Sequence, residues 1–179
     1  MSCGERSRRG GEGDRVIVTA RHLRTVALRL GLVALVAAAP AGRQTLGQFG
    51  SWGAFRDAAP ARCFAITQPV SGRRGQAALA ISAWPRLRAH DQLNLRLSRA
   101  ADGVAVLETG GQQFALSTRG ENAWAGSARE DARIASALRG GGIAQVRGVD
   151  ARGRRFHDRY PLDGAASAID AMRLACLPD

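Results

Sequence analysis

Cys63, Cys176, His90 and His157 are the side chains in the body of this chain best suited to metal binding, redox or nucleophilic chemistry. A metal site needs its ligands at recognisable spacing. None of the four stands in a C-x-x-C or H-x-x-x-H arrangement. The competing uses of the cysteines are a reactive thiol and a disulfide, and an exported domain with two cysteines is expected to pair them. His157 and Asp158 are adjacent on a strand candidate, where successive side chains point to opposite faces, so they are poorly placed to act as a dyad. His90 beside Asp91 is expected in a turn. Glu130 and Asp131 suit the positive end of a helix dipole. The chain has no G-x-S-x-G elbow, H-E-x-x-H pair, P-loop or G-x-G-x-x-G after a strand, so neither a catalytic residue nor a cofactor is assigned.

Binding chemistry is better represented. Arg73-Arg74 and Arg152, Arg154 and Arg155 fall at expected loop tips, where guanidinium groups can grip phosphate or carboxylate bidentately or simply remain solvated. Trp124, in Asn-Ala-Trp-Ala-Gly between a strand and a helix start, is the best candidate for an exposed aromatic. Trp124, Arg152, Arg154 and Arg155 therefore make up the candidate contact surface.

The compartment is read from the N-terminal part. Arg21 to Arg29 is basic, Leu30 to Ala39 is apolar, and Ala39-Pro40-Ala41 is a small-x-small site. These are the three parts of a secretory signal. The apolar run is short of the roughly twenty residues a spanning helix needs, because Arg29 interrupts it. Residues 1–41, Cys3 included, are expected to be a disordered extension plus signal peptide, with cleavage near Ala41. Residues 42–179 should form one domain. That segment has nineteen Arg, no Lys and twelve acidic residues, a net charge of +7. Such a charge suits nucleic acid, anionic lipid or polyanionic envelope polymers, or simply a soluble surface kept off neutrality by scattered Arg. Nucleic acid is not expected as a partner after export, and the scattered aromatics offer no stacking platform for single strands.

These residues must be positioned mostly by strands. Gln48 to Phe55 opens the domain as a strand candidate, with Asp57-Ala-Ala-Pro60 as a turn. Arg62 to Thr67 and Ala77 to Trp84 follow. Asp91-Gln-Leu93-Asn-Leu95-Arg-Leu97-Ser alternates most cleanly, its leucines facing a core. Val104 to Leu107, Gln113 to Thr118, and a hairpin of Ile143–Val149 with Arg155–Leu162 complete the set. Ser127-Ala-Arg-Glu130 is a capping box that starts a helix ending at Gly140-Gly-Gly142. Ala165, Ile169, Met172 and Cys176 share one stripe of a final helix, which points Cys176 inward. Short strands at regular spacing with Gly and Asp turns argue for a mainly β fold, a sandwich or barrel.

The order of short motifs resembles the invasion-associated locus B family of alphaproteobacterial exported proteins. The match runs through Phe49-Gly-x-Trp52-x-x-Phe55 and Arg62-Cys63-Phe64-Ala65. It continues with Phe114-x-Leu116-x-Thr118-x-Gly120-x-x-Ala123-Trp124-Ala125 and Gly148-x-x-Ala151-Arg152-Gly153. Asp158-x-Tyr160-x-Leu162-x-Gly164-x-x-x-Ala168 and Ala175-Cys176 complete it. The resemblance implies an immunoglobulin-like β-sandwich with one short helix and a C-terminal helix. It also implies export and a bridge between the early and late cysteines, but it supplies no catalytic residue. Pro161 stands where a Ser commonly follows the Tyr, and Ala165 where an aromatic is frequent; the second departure weakens packing of the last helix, so its docking should lean more on the bridge. The expected function is a non-enzymatic periplasmic or secreted domain that binds a protein or anionic envelope component. An inhibitor or chaperone-like module for another exported protein, or a cell-envelope hydrolase, would be the alternatives.

Overall fold

The alternation of apolar and polar side chains becomes nine antiparallel strands in the computed structural model, which describes residues 42–70 and 77–177. They are β1 (Arg43–Phe49), β2 (Trp52–Ala58), β3 (Ala61–Thr67), β4 (Ala78–Trp84), β5 (Ala89–Ala101), β6 (Ala105–Thr109), β7 (Gln112–Trp124), β8 (Ile143–Val149) and β9 (Arg155–Pro161). Helix α1 (Ala128–Leu138) lies between β7 and β8, and α2 (Ala165–Ala175) follows β9. The fold is mainly β, with one short and one C-terminal helix, as the sequence patterns require. The expected leader and cleavage site near Ala41, Cys3 and the expected Arg73-Arg74 loop tip lie outside the described residues.

Strand order is β1-β2-β3-β4-β5-β7-β6-β8-β9. The first five strands form a simple meander, and β7 then inserts between β5 and β6. Both β5 and β7 are 13 residues long and serve two neighbourhoods. The later end of β7 pairs with β5 through Ala123 opposite Leu95 and Asn122 opposite Arg96, while its start, Gln112 to Leu116, pairs with β6. Between Arg96 and Ala101 the β5–β7 register breaks. Strand β9 comes back toward the first half of the sheet: the Val70 amide donates to the Arg159 carbonyl at 2.8 Å, and the Ser98 amide to the Asp158 carboxylate at 2.9 Å. Such curling is consistent with the expected two-layer sandwich.

Inward side chains of both parts of the sheet share one core with the two helices, including Trp52, Ile81, Leu95, Phe114, Ile134 and Met172. The leucines of β5 are buried while Asn94 and Arg96 are exposed. Helix α1 starts at Ser127, whose hydroxyl accepts the Glu130 amide at 3.3 Å. The return half of the expected capping box is shifted by one residue, because Glu130 accepts the amide of Gly126, at 3.1 Å. The sequence expectation also needs revision at the start of the domain. Gln48 to Phe55 is not one strand: the chain reverses at Gly50-Ser51, with Gly50 at φ 52°, and β1 pairs back along β2.

Candidate contact site

Cys63 lies in β3 and Cys176 just beyond the end of α2, and they are joined by a disulfide with Cα atoms 5.9 Å apart. Both are buried in the core. The bridge ties α2 to the strand that packs beneath it, so it leaves no free thiol at either position. A second attachment sits at the other end of α2. The Ser51 amide is shared between the carboxylate and the carbonyl of Asp163, at 3.0 and 3.2 Å, and the Trp52 indole N–H donates to the Pro161 carbonyl at 2.9 Å. Gly164 caps the helix at φ 83°, and a Cβ there would lie 1.9 Å from the Phe49 carbonyl oxygen, so only glycine fits. The Phe49-Gly-x-Trp52 and Leu162-x-Gly164 motifs thus meet at one junction of the fold.

Asp158 and Tyr160 brace the gap in the β5–β7 ladder. Both face inward from β9 and are fully buried. Asp158 accepts the Ser98 amide, and the Tyr160 hydroxyl lies 3.5 Å from the Arg96 carbonyl. Burial, then the neighbouring Asp158 charge, pushes the Tyr160 hydroxyl far above its usual range. The other Asp158 oxygen has no partner among the described residues. His157, next along β9, is exposed on the opposite face, as alternation requires. His90 lies near Asp91, Ser127 and Asp131 beside the start of α1, where Asp91 is occupied by an ion pair to Arg173 at 2.8 Å.

The loop-tip arginines stand on a more defined structure. The β8–β9 hairpin turns through Asp150 to Gly153, with the Gly153 amide donating to the Asp150 carbonyl at 2.8 Å and Gly153 at φ 72°. The Asp150 carboxylate folds back inside this turn. It accepts the amides of Arg152 and Arg154 at 2.9 and 3.0 Å and the Arg154 guanidinium at 2.9 Å. Arg99 reaches the same carboxylate from β5 at 3.5 Å. The Arg154 amide bond, then its guanidinium and the Arg152 amide, hold the Asp150 carboxyl at about 2 against the opposing effect of burial.

A cleft of about 470 Å³ opens beside this turn, lined by Ser98, Arg99, Glu121, Asp150, Arg152 and Arg154 among others. The geometry brings Arg152 and Arg154 together and adds Arg99. Arg155 begins β9 and is exposed just outside the lining. Trp124, 40% exposed at the end of β7, is not part of the lining. Its strand enters the cleft at Glu121, which pairs with Arg96 at 3.2 Å. Sequence reasoning missed Arg99, Glu121 and the organising role of Asp150. The last was open to detection, because Asp at the first and Gly at the fourth position of a turn are its usual residues.

Chemically, the arrangement offers guanidinium groups of mixed availability on a fixed backbone. Arg154 is largely engaged by Asp150, whereas the Arg152 side chain has no ion pair among the described residues. No helix among the described residues is long and apolar enough to cross a membrane. No protein-family model, curated protein or solved structure matches the chain.

Proposed function

We propose that this is an exported, non-enzymatic domain of the invasion-associated locus B type, which binds a protein or an anionic component of the cell envelope through its arginine-bearing loop. The observation that carries the reading is the buried Asp150 carboxylate, which fixes the backbone of Arg152 and Arg154 beside an open cleft. A loop held in this way has little backbone left to order on binding. The disulfide supports export, since such bonds persist in oxidising compartments. The motif residues that carry the family resemblance, Trp52, Cys63, Asp158, Tyr160, Gly164 and Cys176, support the reading as determinants of fold. A domain so built keeps its specificity on loops.

The test is to change Arg152, Arg154 and Arg155 together to Glu and measure retention on envelope fractions. Binding is expected to fall at least tenfold, because close charge pairs at such contacts are worth about 1.5 kcal/mol or more. Unchanged retention of the folded variant would remove the loop from the contact.

A further inference from the structure

Strand β9 has its basic residues on one face. Phe156, Asp158 and Tyr160 point into the core, while Arg155, His157 and Arg159 are exposed. The register carries this outer face across three more strands. Arg159 stands opposite Gln145, His157 opposite Arg147 and Arg155 opposite Val149 of β8. Strand β6 continues two of the rows with Glu108 and Val106, and β7 with Gln113 and Ala115. Glu108 is the one acid in these rows and is engaged by Arg147. Arg155 and Arg159 have no ion pair among the described residues. Large apolar side chains are also in the open here: Val149 is 41% exposed and Ile143 38% on β8, and Val104, immediately before β6, is 63% exposed.

We propose that this four-strand face docks on an anionic bilayer surface. Arg147, Arg155 and Arg159 would meet lipid phosphates, and Val104, Val149 and Ile143 would enter the boundary between head groups and acyl chains. The proposal deepens the reading above by naming the envelope component, and it rests on that reading for the protein's exposure to a membrane. The face favours a bilayer over a protein partner on two grounds. It lacks the aromatic anchors in pockets that dominate protein interfaces. Its charges are spread over a regular ladder, which suits a plane of phosphates rather than one fixed counter-charge. Glu108 offsets Arg147, so the face carries two uncompensated arginine charges, and at about fivefold in partitioning for each near an anionic leaflet they give roughly thirtyfold.

Co-sedimentation of the purified protein with vesicles of phosphatidylglycerol and phosphatidylcholine in equal parts tests this, with pure phosphatidylcholine as reference. Binding to the anionic vesicles only, falling steeply with salt, is expected. Arg147→Gln, Arg155→Gln and Arg159→Gln combined should weaken it by roughly thirtyfold or more, and the corresponding triple Lys variant should restore most of it. Should the Gln variant not fold, Val149→Asp alone must still weaken binding. Equal binding to both vesicle types, or wild-type binding by the folded Gln variant, overturns the proposal. Retention on envelope fractions without any binding to anionic vesicles also overturns it, pointing to an acidic protein and leaving the broader reading intact. Loss of both kinds of binding would defeat the two together.

Discussion

Asp150 is one of several carboxylates that act through position rather than reactivity. Its folded value of about 2 lies below the ordinary 3.8, so it contributes stability that is complete above that ordinary value and is lost as pH falls through about 2. Asp57 and Asp170 are shifted in the same direction, first by their bonds to Arg43 and Arg139 respectively. Asp131 runs the other way. Burial raises it, while its bond from the Leu93 amide at 2.8 Å opposes the rise, so its ionised form weakens the fold above the usual carboxylate range. Three lowered carboxylates against one raised predict that stability declines on acidification from near 4 toward 2. Asp150→Asn should flatten that decline, because the amide cannot be protonated and accepts only part of the same bonds. Unfolding midpoints measured across this range in wild type and variant would decide; parallel curves would mean that Asp150 does not organise the turn.

At the scale of elements, the fold depends on how β5 is satisfied where β7 departs from it. Two side chains from distant segments reach β5 amides outside the paired stretch: Asp131 of α1 at Leu93 and Asp158 of β9 at Ser98. Replacing Asp158 by Ala would leave the partly buried Ser98 amide without its acceptor, at a cost of about 1–3 kcal/mol. Asp158→Asn should recover much of this through its amide oxygen. Urea unfolding of the two variants tests the assignment, and equal losses from Ala and Asn would speak against it. These acceptors were not legible in the sequence, because they lie 38 and 60 positions from their donors and no local pattern records the pairing. The turn at Gly50-Ser51 was hidden for a different reason. It lacks the Asn-Gly or Asp-Gly signal that marked other reversals, and Gly50 is selected by contact with Asp163 as much as by its own φ. Local rules did identify the clean alternation of β5, the Ser127 cap and the β8–β9 hairpin, whose determinants lie within a few residues. For the contact site, the same rules found Arg152 and Arg154 but could not see Arg99 arriving from β5.

For the molecule as a whole, the question is how much of α2's docking the disulfide supplies. The helix buries Ala165, Ala168, Ile169 and Met172, two of them alanines that bring little apolar area to the contact. Polar ties add Asp163 to Ser51, Arg173 to Asp91 and a bidentate pair from Arg139 of α1 to Asp170 at 2.5 and 3.1 Å. Arg139 and Asp170 are substantially exposed, so that pair adds little. The bridge spans 113 positions, and closing so long a loop is worth at most about 4–5 kcal/mol in the chain-entropy model, with 2–5 kcal/mol the usual loss on removal. That is a large share of the roughly 5–15 kcal/mol by which domains are stable. Cys63→Ala with Cys176→Ala should therefore lower unfolding free energy by about 2–5 kcal/mol. The damage should also be uneven. Amide exchange should quicken first in α2 and in the β1–β2 hairpin that Asp163 and Gly164 hold, while β6, β8 and β9 keep their protection. A loss below about 1 kcal/mol with α2 still protected would mean that apolar packing alone seats the helix, and that the bridge follows from the fold rather than bracing it.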